Sequence, residues 1–225
     1  MSPTVRAHYD FVSDWGAHFA MPLAAQAKPA TLIRFANLTF GAHRRLSHEA
    51  TSGIIGFDVA LPTAWVPDDL DPDTQDILRT MFLTSAAAHG GMNLWLWAPE
   101  RLSLVLSGGA AHRFGDVFDV FAEAAIAPMF PVGDEGTDVD LFIDAGIGGQ
   151  WVIPELLNIG LRFQLAWLPT AQGDPVQTSL ELFGRVWLDA LFLGLAFTLN
   201  LDEPAGFSFD TNGVWGLHVG VGVQF

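Results

Sequence analysis

The chain contains no cysteine, a single lysine (Lys28) and a single tyrosine (Tyr9). Without cysteine it can build neither a disulfide scaffold nor a thiolate metal site. It also lacks any long apolar run. The longest, Ala190 to Leu199 (ALFLGLAFTL), is bounded by Asp189 and Asn200, well short of the roughly 18 residues that a membrane helix needs. Cationic side chains are scarce, with 10 Lys and Arg against 25 Asp and Glu and a formal net charge of −15. Such a surface repels phosphate, which excludes nucleic acid as a partner. Met1 to Leu23 has no basic segment followed by a continuous apolar core, so it does not read as a secretory signal.

What the chain has in abundance is apolar residues in alternation. Half of its 225 residues are hydrophobic and the mean hydropathy is +0.33, high for a soluble domain. At the C-terminus Trp215, Leu217, Val219, Val221 and Val223 alternate with Gly216, His218, Gly220, Gly222 and Gln224, and the chain ends on Phe225. A strand has a side-chain period of two, so this segment carries one greasy face and one polar, sparsely filled face. A transmembrane barrel turns the first to lipid and the second to its lumen.

The alternation recurs upstream. Leu191, Leu193, Leu195, Phe197, Leu199 and Leu201 oppose Gly194, Ala196, Thr198 and Asn200. Leu180, Leu182, Val186 and Leu188 oppose Glu181, Phe183, Arg185 and Trp187, and Ile159, Leu161, Phe163, Leu165 and Trp167 oppose Arg162, Gln164 and Ala166. Similar sets run over 141–148, 118–126, 102–107 and 55–61. Each is close to the roughly 9–11 residues of a tilted membrane strand. The N-terminal part is less regular: Trp15 to Met21 alternates cleanly, but Ile33 and Phe35 differ in parity from Leu38 and Phe40, which calls for a bulge near Asn37.

An alternating final strand that ends on Phe resembles the terminal strand of bacterial outer-membrane β-barrels, a porin-like class rather than one family. The resemblance implies that Phe225, Val223, Val221, Val219 and Leu217 form a signal read by the barrel-insertion machinery. It also implies residence in the bacterial outer membrane, with the signal peptide already removed. The expected fold is an all-β, antiparallel up-and-down transmembrane barrel spanning 1–225 as one domain, with 1–14 as a short N-terminal periplasmic segment. About twelve strands are expected, because even numbers are usual. That count requires strands at 77–88 and 93–98. The alternative is ten, with an external helix started by Asp71-Pro72-Asp73-Thr74 and presenting Ile77, Leu78, Met81 and Phe82 on one face.

The inward set holds the candidate functional residues. Arg162 and Gln164 should lie near Glu181 and Arg185 on the hairpin partner, as a charged constriction or as a salt-bridge network that fills the barrel. Asp119, Glu123, Asp140 and Asp144 add negative charge to the same face, which predicts mild cation preference for any conduction. The acidic loop with Asp68, Asp69, Asp71, Asp73 and Asp76 lacks calcium-loop spacing, and the seven histidines do not fall at metal-ligand spacing on one strand. No metal and no cofactor is expected. Serines are sparse and no GxSxG occurs, so no catalytic residues are assigned. The leading expectation is a small passive channel for hydrophilic solutes. The alternative is a sealed structural or docking barrel with an envelope protein partner, and a hydrolase ranks last. Expected partners are outer-membrane lipid, the insertion machinery and small solutes.

Overall fold

A computed structural model describes residues 4–12, 14–26, 32–132, 138–154, 156–170, 175–188, 191–202 and 215–223. Twelve strands are present among them: β1 (Thr4–Val12), β2 (Trp15–Gln26), β3 (Leu32–Phe35), β4 (Leu38–His48), β5 (Thr51–Leu61), β6 (Arg101–Phe114), β7 (Phe118–Pro131), β8 (Asp140–Ile153), β9 (Leu157–Trp167), β10 (Val176–Leu188), β11 (Leu191–Asn200) and β12 (Trp215–Val223). The one α-helix described, α1 (Pro72–Ala88), and a 3₁₀ turn at Leu94–Leu96 lie between β5 and β6.

Eleven strands form one antiparallel path in chain order, and the short β3 pairs with β2 beside it. The sheet curls into a half-barrel, and α1 touches β2 on one side and β12 on the other. Eleven alternating strands leave the two edges, β1 and β12, running in the same direction. Tight turns join the strands at one end, such as Glu49–Ala50 between β4 and β5 and Gly115–Val117 between β6 and β7. Gly115 takes the left-handed conformation there (φ 61°), which glycine adopts without steric cost. The longer connections gather at the opposite end, termed here the loop end.

Residues 4–12, expected within a short N-terminal periplasmic segment, form strand β1 of the sheet, with Val5, Tyr9 and Phe11 exposed on the convex face. Two further expectations are corrected. Residues 77–88 belong to α1, not to a strand. The Asp71 carboxylate caps it by accepting from the Thr74 backbone N–H at 3.0 Å, and Pro72 occupies the first turn. The alternative, a helix with Leu78, Met81 and Phe82 on one face, is the element formed, and these three side chains are buried beneath the concave sheet. Residues 93–98 form the 3₁₀ turn instead of a strand, because Asn93 takes a left-handed φ of 54° and reverses the chain.

The parity change at Asn37 is real and has a cause. The chain breaks between β3 and β4, and the Asn37 side chain turns fully inward. Its Nδ2 donates to the carbonyls of Trp95 (2.8 Å) and Ala98 (2.7 Å), and its Oδ1 accepts from Ala64 N–H (2.9 Å). A residue spent on fastening the 3₁₀ turn cannot also keep strand register.

Burial is inverted relative to a water-soluble sandwich. On the convex face Leu106, Ile147, Leu182, Leu217 and Val219 are each more than half exposed. On the concave face Thr39, Asp58, Ser103, Asp144, Gln164, Ser179, Glu181, Thr198 and Asn200 are buried. Isolated exposed apolar residues are ordinary, but a band of them on every long strand is not.

Candidate functional site

Strand register brings the central charges together. Arg162 on β9 pairs with Glu181 on β10, and its Nη2 donates to Glu181 Oε1 at 2.7 Å. Its Nη1 donates to Glu123 of β7, reaching across Gly146 of β8, where a Cβ would press on the Glu123 carboxylate at 3.0 Å. One guanidinium therefore sits between two carboxylates, the geometry in which Arg bonds most strongly. Thr198 Oγ1 donates to Glu181 Oε2 at 3.3 Å, and Gln164 and Ser179 hydrogen bond at 2.9 Å just above.

The remaining predicted residues lie apart from this triad. Arg185 stands on the aromatic rings of Phe192 (4.7 Å) and Trp187 (5.6 Å) and contributes a cation–π contact instead of a constriction. Asp119 holds Arg113 in a bidentate pair (2.7 and 2.8 Å) near the turn end. Asp140 pairs with Arg101 at 3.1 Å at the loop end. Asp144 accepts the Asn93 backbone N–H at 3.0 Å. Leu217, Val219 and Val221 project from the convex face of β12. Val223 closes β12, its side chain outside the described set, and Phe225 lies outside the described residues.

Residues 72–98, termed here the plug for their place inside the curve of the sheet, are seated on these inward side chains. Asn200 Nδ2 donates to the Ala87 carbonyl (2.9 Å), Ser179 Oγ to Gly90 (3.4 Å) and His218 Nε2 to Ala88 (3.0 Å). Asp144 and Asn37 hold the following turn. Gly216 is needed beneath the helix end, since a Cβ there would overlap the Ala88 carbonyl. The strand residues were legible as inward-facing; their ligand, the plug, was not.

A second concave cluster went unrecognised in the sequence. His8 and Asp10 of β1, His18 of β2, His43 and Arg45 of β4 and Asp58 of β5 converge near the sheet's open edge. The register pairs Gly16 with His43 and His18 with Gly41, so each imidazole lies over a glycine on the neighbouring strand. A Cβ on Gly16 would come within 2.6 Å of both Asp10 Oδ1 and His43 Cε1, and one on Gly41 would overlap Asp58 Oδ1. The available signal was a repeated tripeptide, Gly-Ala-His at 16–18 and again at 41–43. A cavity of about 280 Å³ separates this cluster from the plug, lined by Arg6, His8, His18, Asp58, Asn93 and Trp95 among others.

In comparisons with known proteins, no family model matches the chain and no curated protein matches it.

Proposed function

We propose that the chain is a transmembrane β-barrel of the bacterial outer membrane whose lumen is sealed, serving as a structural or docking element of the cell envelope. The observation that carries the membrane half of this reading is the inverted burial. Apolar side chains are exposed along the convex face of every long strand, while ion pairs and hydroxyls are buried on the concave face. Lipid rewards that arrangement and water penalises it. Tryptophans support it: Trp167 and Trp215 are exposed at the loop end, Trp15 and Trp151 at the turn end, as interfacial belts require. On this reading β1 and β12 are paired in the membrane, because unpaired backbone groups are too costly in hydrocarbon.

The seal rests on the plug and on the filling below it. Residues 72–98 occupy the loop end, the Glu123–Arg162–Glu181 triad follows, and Phe121 and Phe183 meet at 6.0 Å nearer the turns. A passive, mildly cation-preferring channel is the second reading. It is favoured by the one charged triad at mid-lumen, which plug displacement would expose to solutes.

Assembly into lipid vesicles, followed by planar-bilayer recording, tests both halves. Val219 faces outward, whereas Gly220 has open space where a side chain would start. Val219→Arg should fail to assemble, at a cost of about 2–4 kcal/mol for Arg at mid-membrane, and Gly220→Arg should assemble. The inserted wild-type protein should be electrically silent. Equal assembly of the two variants would overturn the membrane facing, and discrete current steps would replace the seal with the channel.

A further inference from the structure

The concave cluster at the open edge holds an arrangement that protons alone leave unsatisfied. His8 Nε2 lies 2.8 Å from Asp10 Oδ1 and 3.1 Å from Arg45 Nη2. A protonated nitrogen suits the carboxylate and opposes the guanidinium; a bare lone pair does the reverse. His43 presents a second difficulty. Its side chain is 5 % exposed, and its Nε2 has no hydrogen-bond partner while aiming at the same Asp10 oxygen from 3.9 Å. Leaving such a nitrogen buried and unpaired is unfavourable.

We propose that His8, Asp10 and His43 bind a divalent transition-metal ion, with zinc as the reference case. Their three ligand atoms lie within 4.8 Å of one another. Bonds of about 2.0–2.2 Å to imidazole nitrogen and carboxylate oxygen need only a small inward movement from these positions. Two imidazoles and one carboxylate suit zinc, copper or nickel over calcium or magnesium, which prefer all-oxygen sets. A metal ion resolves both conflicts at once: it takes the lone pairs of His8 Nε2, Asp10 Oδ1 and His43 Nε2, and Arg45 Nη2 withdraws from His8. Arg45 Nη1 remains on Asp10 Oδ2 at 2.9 Å, the kind of outer contact that orients a ligating carboxylate. The glycines fit this use. Gly16 leaves the Asp10 and His43 ligand atoms free to approach, and Gly41 does the same for the flanking His18–Asp58 pair at 2.9 Å.

The test is titration of the refolded full chain with zinc chloride by calorimetry, and with cobalt(II) followed by its visible absorption. One ion per chain is expected, with visible bands showing nitrogen and oxygen ligation. His8→Gln changes a half-exposed ligand and should weaken binding at least about tenfold. Gly16→Ala removes no ligand but fills the cradle, and should weaken binding as well. His89→Gln, at the plug, should bind as wild type does. Should His43→Ala not fold, His8→Gln and Gly16→Ala carry the test. Absence of saturable binding by wild type, or wild-type affinity in both His8→Gln and Gly16→Ala, overturns the proposal.

Discussion

The two halves of the concave face handle buried charge in opposite ways. Beneath β7 to β11 the central cation has found its acceptors: Arg162 is divided between Glu123 and Glu181, and the plug sits directly above. Beneath β1 to β5 a cavity intervenes, His8 is caught between an anion and a cation, and His43 carries an unpaired nitrogen. The first pattern is that of a polar core built for rigidity. The second leaves bonding capacity pointed at open space, the condition under which a fold can take up a ligand. Both halves draw on the same few residue types, so the difference lies in pairing.

The largest expected effect comes from breaking the satisfied half. Arg162→Ala leaves the buried Glu181 carboxylate facing Glu123 with no cation between them. Removing one partner of a buried ion network costs about 3–5 kcal/mol, and partial exposure of Glu123 places the loss near the lower figure. In the open half, His8→Ala removes a half-exposed partner of Asp10, where solvent screens the pair and much less stability is lost. Denaturant unfolding of the two variants measures the contrast directly. Equal losses would erase the distinction between the halves.

That distinction was only half legible in the sequence. Alternation located β2, β5 and the strands from β6 to β12, because a period of two with apolar residues on one side has few other readings; β4, whose residues 42–48 are rich in His and Arg, reads instead as a connection. Alternation also brought Arg162 and Gln164 near Glu181 and Arg185 on the hairpin partner, but not to the register that pairs Arg162 with Glu181 and Arg185 with Asn158. Strand β1 carried the same signal, with Val5, Tyr9 and Phe11 against Arg6, His8 and Asp10. Its polar set is as dense as its apolar one, which hides the strand behind the reading of a short periplasmic segment. At 72–88 two signals conflict: Asp71, Pro72 and Thr74 form the helix cap that those residues suggest, while a preference for an even strand count argues for a strand. The histidine cluster was hidden for another reason. Its members come from four strands, and spacing along one strand says nothing about rows across a sheet.

A smaller effect should follow from untying the plug on the open side. Asn37→Ala removes three hydrogen bonds in a fully buried place and leaves the Ala64 N–H without its acceptor. One buried unsatisfied donor costs about 1–3 kcal/mol. The other anchors, Asn200, Ser179 and Asp144, remain on the satisfied side. Hydrogen exchange should therefore show lost protection in residues 93–98 with little change in β9 and β10. Loss spread over both halves would mean that they fold as one unit.

The smallest effect concerns pH at the joint between the halves. His89 caps the end of α1, with Nδ1 donating to the Ser85 carbonyl at 2.8 Å, and its ring meets His218 at 4.2 Å and Trp97 at 5.0 Å. Burial pushes the His89 imidazole down to about 4; the charge of neighbouring His218 and, more weakly, Arg6 acts in the same direction, against the bond to Ser85. An opened plug returns the ring to the ordinary range near 6.5. Between those values the opened form binds a proton that the seated form refuses, so plug stability falls as pH drops from about 6.5 to about 4 and no further below it. Protection factors across 86–98 should decline through that window in the wild type and stay level in His89→Gln. A His218→Asn variant separates the two rings: a decline that persists in His89→Gln but vanishes in His218→Asn would move the titrating group from the plug to the sheet.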